Sequence, residues 1–296
     1  MLFTHLVLCT IVISITLSAF ATSEDPSRSI LNDLASGSKG LAAIGLINQK
    51  VVALFGSVPI SGDSFEQMIV FDTDSTVFSS NADKHIVSLI GNGKPVSSLW
   101  PKLSFALKNA SINIQHLTTI AGDGGSEYFF AGTEGDQANV LYDLKTEKSV
   151  IKASGIKVSN TKQLVSSNKP KKFYDFRNGG SSYQYSLHSI KGNLASGAAS
   201  SNSEDNFNFC INQKDSGYVA VFSQNCKGTV GWPLAGGGFS DGQHFHLFTE
   251  KQVLIVPMNV KLQKSSFKKK GNDSGDDESE SPVKVIALTD YFGMST

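Results

Sequence analysis

The chain repeats one pattern, in which a short apolar run, a polar turn and a second apolar run follow each other. The apolar runs are rich in β-branched and aromatic residues, and the turns between them contain Gly, Asn, Asp and Ser. This combination is typical of β-hairpins. It occurs at residues 41–58, 66–80, 126–144, 207–223 and 244–257, and less distinct strands cover 85–91, 103–109 and 183–190. The single helix candidate is 25–36, so the pattern predicts an all-β protein.

Two of the hairpins share a further feature, because "AGDGGSEYFFAG" and "GGGFSDGQHFHLFT" both place glycines and a polar residue before an aromatic strand. Hairpins that recur every few tens of residues are typical of propeller blades, which take about 50 residues each. We therefore predict a four- or five-bladed β-propeller, with a β-sandwich as the alternative. The stretch "EYFFAGTEGDQANVLYDLKTEK" (127–148) resembles hemopexin-type or related extracellular propeller repeats. The chain departs from that family in lacking a cysteine pair that joins the first and last blades.

The start of the chain has the features of a signal peptide. Residues 1–21 contain no Asp, Glu, Lys or Arg, and an apolar run over 6–17 precedes Ala19-Phe20-Ala21, which fits the small-x-small cleavage rule. A signal anchor is the alternative, although about 20 residues is close to the minimum for a membrane span. No later apolar run is long enough to cross a membrane. We predict cleavage after Ala21, secretion to the extracellular space and no membrane span in the mature protein.

Cysteine and asparagine positions agree with export. Once Cys9 has left with the signal peptide, Cys210 and Cys226 form an even pair in an oxidising compartment, which predicts a disulfide. Closing that loop would stabilise the fold by about 3 kcal/mol on the chain-entropy account. Asn109-Ala-Ser and Asn272-Asp-Ser are N-glycosylation sequons.

Composition divides the mature chain into three segments. We predict a propeller-like domain over 22–260, a disordered charged insertion over 261–281, and a closing strand or C-terminal tail over 282–296. The middle segment, "KLQKSSFKKKGNDSGDDESES", has too few apolar residues to offset its ordering entropy. The formal net charge of the whole chain is +0 at pH 7, so no nucleic-acid partner is implied.

Two histidines near the C-terminus are candidate metal ligands. His244 and His246 lie two positions apart, which places both imidazoles on one side of a strand. A zinc ion would need a third ligand from elsewhere in the fold. The remaining histidines lie in unrelated hairpins, so ordinary strand packing is the preferred interpretation. We predict neither a metal nor any other cofactor.

The same region carries a second candidate site. Gly62-Asp63-Ser64 and Asp241-x-x-His244 resemble the outer motifs of the GDS-type serine esterases. The resemblance implies that Ser64 is the nucleophile, that His244 is its base and that Asp241 orients the histidine. The middle motifs of that family are absent from the sequence, and its helix-flanked parallel sheet is at odds with a chain that predicts few helices.

The sequence therefore predicts a secreted, non-catalytic binding or interaction module that engages an extracellular protein or glycan. A serine esterase using Ser64, Asp241 and His244 is the enzymatic alternative. A secreted structural or effector protein without a small ligand is a third hypothesis. Propellers bind through their loops and the mouth of the central channel, so contacts with a partner are expected in turns. Most aromatic residues on the strands are expected to form the core, and exposed ones could anchor a protein or glycan.

Overall fold

A computed structural model of the chain describes residues 40–47, 50–56, 67–72, 88–89, 114–133, 140–146, 148–151, 156, 163–178, 180–196, 198–223, 225–258 and 279–291. These residues form strands almost throughout, which confirms the all-β prediction. The strands are β1 (Gly40–Ile47), β2 (Lys50–Gly56), β3 (Gln67–Asp72), β4 (Ser88–Leu89), β5 (Ile114–Ala121), β6 (Glu127–Thr133), β7 (Val140–Asp143), β8 (Lys148–Ile151), β9 (Gln163–Ser167), β10 (Lys172–Asn178), β11 (Ser182–Asn193), β12 (Ala198–Lys214), β13 (Gly217–Phe222), β14 (Leu234–Ser240), β15 (His244–Thr249), β16 (Gln252–Pro257) and β17 (Ser279–Ala287). A 3₁₀ turn covers Asp123–Gly125, and a helical turn, α1, covers Leu288–Tyr291.

Nine of the strands close into a barrel. Their order around it is β9-β10-β11-β12-β13-β17-β16-β15-β14, and β14 pairs back onto β9. All neighbours run antiparallel except β9 and β14, which are parallel. Strand β17 joins two parts of the barrel, since its first half pairs with β13 and its second half with β16.

Aromatic side chains fill the described barrel interior. The ring of Phe245 lies at the centre of this cluster, edge-on to the rings of Tyr174, Phe176 and Tyr185 at centroid distances of 5.0, 5.1 and 5.0 Å. Such tilted contacts match the negative face of one ring with the positive edge of another. The cluster comprises Val165, Tyr174, Phe176, Tyr183, Tyr185, Phe209, Ile211, Ala220, Phe222, Phe245, Leu247, Leu254, Val256 and Val283.

A second sheet, ordered β5-β6-β7-β8, packs against the outside of the barrel. The alternation of side chains along β10 explains how one strand serves both layers: Tyr174 and Phe176 face the barrel interior, and Phe173 faces the second sheet. The layer between the two sheets consists of Ile120, Tyr128, Phe130, Leu141, Ile156, Leu164, Phe173, Ile190, Leu194 and Ala199. Strand β1 pairs in parallel with β14 and continues through β2 and β3 to β4.

The predicted propeller is wrong, and so is the alternative of a β-sandwich. Propeller blades are separate sheets around an axis, whereas these hairpins belong to one sheet that closes on itself. Hairpins at β1–β2, β6–β7, β12–β13 and β15–β16 form as the sequence predicts. The pairings that close the barrel join residues far apart along the chain, such as Val165 with Gly238, and local hairpin signals carry no information about them.

Several sequence-based predictions fall wholly or partly outside the described residues. The signal peptide over 1–21, the sequons at Asn109 and Asn272, and Ser64 all lie outside them, as does most of the charged segment 261–281. The strand expected after that segment is present as β17, which begins at Ser279, inside the segment predicted to be disordered.

The two cysteines that the structure describes, Cys210 and Cys226, are thiols. Cys210 is buried on β12, and Cys226 is half-buried in the loop after β13. The predicted disulfide between them is not part of the structure and stays a prediction for the oxidised protein.

The glycines of β14 give a test of barrel closure. A Cβ atom at Gly238 would overlap the carbonyl oxygen of His246 on the neighbouring strand, so Gly238→Ala must push two paired backbones apart. We expect a loss of about 3 kcal/mol or more in the free energy of unfolding, the upper range for overpacking. Urea unfolding followed by circular dichroism measures it.

Gly124→Ala is the matched control, because Gly124 has a φ of 65° and no atom within 4 Å of an added Cβ. That variant has backbone strain without overlap and should lose only about 1 kcal/mol. Equal losses in the two variants would contradict the close approach at β14.

Candidate functional site

The turn between β14 and β15 brings three of the predicted site residues together. Asp241 directly follows β14, Gly242 turns the chain with a φ of 92°, and β15 begins at His244. One carboxylate oxygen of Asp241, Oδ1, accepts hydrogen bonds from the backbone N–H groups of Gln243 and His244, at 2.7 and 2.6 Å. A short polar side chain that bonds to the backbone of its own turn is the usual way in which Asp stabilises such a turn.

The other carboxylate oxygen, Oδ2, faces both histidines. It lies 3.4 Å from Nδ1 of His244 and 3.3 Å from Nε2 of His246. The side chain of His244 is 25% exposed, whereas that of His246 is fully buried. The two imidazoles lie on the outer face of β15, because the alternate residues Phe245 and Leu247 face the barrel interior.

The fourth member of the cluster comes from the end of the described chain. Tyr291 of α1 packs edge-on against Phe248 at 5.4 Å, and its hydroxyl lies 3.1 Å from Nδ1 of His246. The ring of His246 is also stacked on Phe239 of β14, with centroids 4.5 Å apart. One neutral tautomer of His246 satisfies both hydrogen bonds: Tyr291 donates to Nδ1, and Nε2–H donates to Asp241.

Charge in this cluster is concentrated on Asp241. Burial alone would raise the pKa of this carboxyl, but the hydrogen bonds from His244 and His246 outweigh burial and hold the pKa well below its usual range. Burial lowers the pKa of His246, and Asp241 opposes only part of that shift. Burial, followed by the negative charge of Asp241, raises the pKa of Tyr291 well above its usual range. At neutral pH the cluster is therefore an ionised carboxylate, a neutral imidazole and a protonated phenol.

These contacts use the polar atoms internally. His246 has both ring nitrogens occupied and no exposed surface, so its imidazole is not presented to a ligand in solution. Among the residues that the structure describes, no group of three or more His, Cys, Asp or Glu side chains is arranged to hold a metal ion. The contacts of Asp241, His246 and Tyr291 best support a structural role, in which they fix the β14–β15 turn and α1 to the barrel wall.

One part of this geometry agrees with the esterase hypothesis. Asp241 does contact Nδ1 of His244, which is the pairing that orients a general base. Ser64, the proposed nucleophile, lies outside the described residues. The helix-flanked parallel sheet that the esterase resemblance implies is not the architecture of the described chain, which is a mixed barrel.

Sequence reasoning missed two features of the polar residues. Tyr291 gave no signal, since it stands alone near the C-terminus in "LTDYFGMST". His188 forms a second His–Asp pair, with Nε2 3.8 Å from Oδ2 of Asp175 and its ring stacked on Phe173 at 4.9 Å. Burial lowers the pKa of His188. Cross-strand register brings this pair together, and register cannot be read from the separate strands.

Comparisons with known proteins place the chain in no family: no protein-family model matches it, and no curated protein sequence does. The resemblance to hemopexin-type repeats therefore stays a prediction from the sequence, and the propeller that it implied is not the fold. None of the helices in the described residues has the length and apolar character needed to cross a membrane.

Tyr291→Phe tests the role of the buried hydroxyl. The variant keeps the ring against Phe248 but leaves Nδ1 of His246 without its donor, and an unsatisfied buried acceptor costs about 1–3 kcal/mol. We expect that loss in the free energy of unfolding by chemical denaturation. Tyr218→Phe is the control, because Tyr218 is only half-buried, and should change stability by less than about 0.5 kcal/mol. Equal effects would show that the hydroxyl of Tyr291 does not bind His246.

The buried histidines predict a specific pH dependence. Because the pKa of His246 in the folded protein lies below the ordinary histidine value of about 6.5, the unfolded chain binds more protons below that pH. Stability should be fully present above about pH 6.5 and fall as the pH drops, by at most about 1.4 kcal/mol per pH unit for each histidine. Asp241 adds a similar loss only below about pH 4.

The measurement is the free energy of unfolding at pH 7.5, 6.0 and 5.0. His246→Asn should reduce the slope, and His188→Asn reports the share of the second buried histidine. A free energy of unfolding that rises on acidification across this range would contradict the assignment of a neutral His246.

Proposed function

We propose that the protein is a secreted, non-catalytic binding module that engages an extracellular protein or glycan. The observation that carries this proposal is that the polar cluster bonds within the fold and not to a ligand site: the carboxylate of Asp241 and both nitrogens of His246 bond to other groups of the protein. Aromatic side chains fill the described barrel interior, which favours recognition at the loops and outer faces. A rigid barrel that carries binding loops at its ends is a common arrangement for such modules.

A serine esterase is the second candidate, and one observation favours it. His244 is partly exposed and has Nδ1 3.4 Å from the ionised Asp241, so its other nitrogen is available to act as a base. The same carboxylate oxygen is shared with His246, however, and the remaining oxygen is bound by the turn.

The deciding experiment compares capture with covalent labelling. The chain from Thr22 onward is immobilised and exposed to extracellular protein and glycan extracts, in parallel with Ser64→Ala and His244→Ala variants. We expect saturable capture of the same partner by all three proteins, because neither side chain takes part in binding. A fluorophosphonate probe, which labels activated serines, should leave the parent chain unlabelled.

Two results would overturn the proposal. Labelling of the parent chain but not of Ser64→Ala would assign the esterase activity instead. Absence of saturable capture by the parent chain would remove the binding function itself.

A further inference from the structure

The outer face of the barrel has a polar margin beside the layer that it shares with the second sheet. Along β10 and β11, the outward-facing side chains of Asp175 and Ser186, which lie opposite each other, are buried. Arg177 and Gln184, the next outward-facing pair, are exposed. An outward-facing side chain of a barrel is buried only where another part of the chain covers it. The covered area therefore ends between these two pairs, and the polar margin consists of Asp175, Ser186 and His188.

His188 lies where the polar margin meets the apolar layer. It is paired with Phe173 on the neighbouring strand, and the two rings stack with their centroids 4.9 Å apart. The ring of Phe173 in turn lies 6.1 Å from that of Phe130 in the second sheet. Ile190, two positions after His188, is buried in the same layer, and the side chain of His188 itself is 12% exposed. The imidazole therefore packs against a ring that the second sheet covers.

The polar atoms of His188 are poorly satisfied in the closed structure. Both ring nitrogens are shielded from solvent, and neither has a hydrogen-bond partner within the described part of the chain. Oδ2 of Asp175 is 3.8 Å from Nε2, which is too long for a hydrogen bond, and it also lies 3.5 Å from the guanidinium of Arg177. Buried polar groups without a partner are uncommon in folded proteins. Separation of the second sheet from the barrel would let water reach both nitrogens.

Other ionisable groups near the layer are bonded elsewhere or uncharged. On β12, the carboxylate of Glu204 binds the ammonium group of Lys172 at 2.8 Å. In the second sheet, Oδ1 of Asp143 accepts hydrogen bonds from the backbone of its own turn. Burial raises the pKa of Tyr128, so its phenol stays protonated near neutral pH. The charges that act on His188 are therefore those of β10.

These charges do not compensate for the burial of His188. Burial lowers the pKa of His188, Asp175 offsets part of that shift, and Arg177 adds to it. An imidazolium would have two buried N–H donors and would compete with Arg177 for one carboxylate oxygen. If the second sheet detaches, water solvates the ring, and the pKa returns to about 6.5. The detached form then binds more protons below about pH 6.5, so acid shifts the equilibrium toward it.

We propose that His188 is an acid-sensitive switch, whose protonation releases the second sheet from the barrel and exposes the apolar layer between them. The exposed surface would include the rings of Phe130 and Phe173 and the side chain of Leu141. A contiguous apolar patch of this kind is typical of an interaction surface. The inference goes beyond the proposed binding function and does not depend on it.

The other contacts between the sheets set how stable the closed form is. Thr119 bonds to the backbone of Leu46 and to the hydroxyl of Ser166. The backbone N–H of Lys171 donates to the carbonyl oxygen of Ala121 at 2.7 Å. Hydroxyl and peptide groups do not titrate near pH 6, so these contacts oppose detachment equally at every pH in this range.

Amide hydrogen exchange tests the switch, because it reports the opening of each strand separately. Protection factors, which correct for the intrinsic pH dependence of exchange, are measured for β6 and β7 of the second sheet and for β15 and β16 of the barrel. We expect lower protection in β6 and β7 than in the barrel strands. Between pH 6.5 and 5.5 it should fall several-fold, up to the limit of about ten-fold per pH unit for one proton taken up, and it should recover at pH 7.5.

His188→Phe removes the titrating group and keeps a ring against Phe173. Protection in β6 and β7 should then no longer depend on pH over this range. His188→Asn, which is smaller and also uncharged, should give the same result if the larger ring does not fit. His246→Asn is the matched control, because it removes the buried histidine of the β14–β15 turn, and β6 and β7 should keep the parental response.

Two results would overturn this inference. A pH response of β6 and β7 that persists in both His188 variants would assign the effect to another group. Equal protection factors in the second sheet and in the barrel strands at every pH would show that the two sheets open only together. Neither result bears on the proposed binding function, which the capture experiment tests separately.

Discussion

Closure of the barrel depends on a single parallel pairing. Nine strands cannot alternate in direction around a closed ring, so one neighbouring pair must be parallel, and here it is β9 with β14. Strand β14 also pairs with β15 on its other edge and with β1 at Gly237, in the middle of the strand. Gly237, with a φ of 79°, and Gly238 permit this crowding, because a Cβ at either position would overlap a neighbouring carbonyl oxygen. Glycine is thus a packing requirement here rather than a source of flexibility.

The second sheet is attached at the same junction by buried hydroxyl groups. Thr119 of β5 donates to the carbonyl oxygen of Leu46 at 2.6 Å and accepts from the Leu46 N–H at 2.8 Å. Its only proton is then committed, so Ser166 of β9 must be the donor in the 2.9 Å contact between the two hydroxyls. Three strands from three parts of the chain are joined without an unsatisfied group on Thr119. The β14–β15 turn extends from this junction, and Asn168 donates to the carbonyl oxygen of Asp241 at 2.7 Å.

The sequence predicted what depends on near neighbours and failed where distant strands meet. Alternating apolar residues and polar turns located the hairpins β12–β13 and β15–β16. Spacing placed His244 and His246 on one face of a strand, and the contact of Asp241 with His244 was expected from the esterase resemblance. Nothing local encodes the parallel pairing of β9 with β14, so the same hairpins were assigned to blades. Tyr291 reaches His246 only because β17 leads α1 back over β15 and β16. The glycines that precede Trp232 in "KGTVGWPL" are a readable signal of a tightly held loop, and their role depends on the carbonyl groups of Gly180 and Ser181 in the turn before β11.

The two ends of the barrel use a tyrosine hydroxyl for different purposes. Asn168, the residue after β9, donates to the backbone carbonyl of Asp241 at one end of the barrel. Gln163, the first residue of β9, donates to the carbonyl of Leu234 near Trp232 at the other end. At the first end, the hydroxyl of Tyr291 completes a buried chain that holds the ionised Asp241 and presents little of it to solvent. At the second end, the buried hydroxyl of Tyr183 fixes the backbone of Trp232, whose side chain is half-buried. The aromatic end, which needs no ionised group to hold its shape, is the one whose geometry should persist when acid weakens the other.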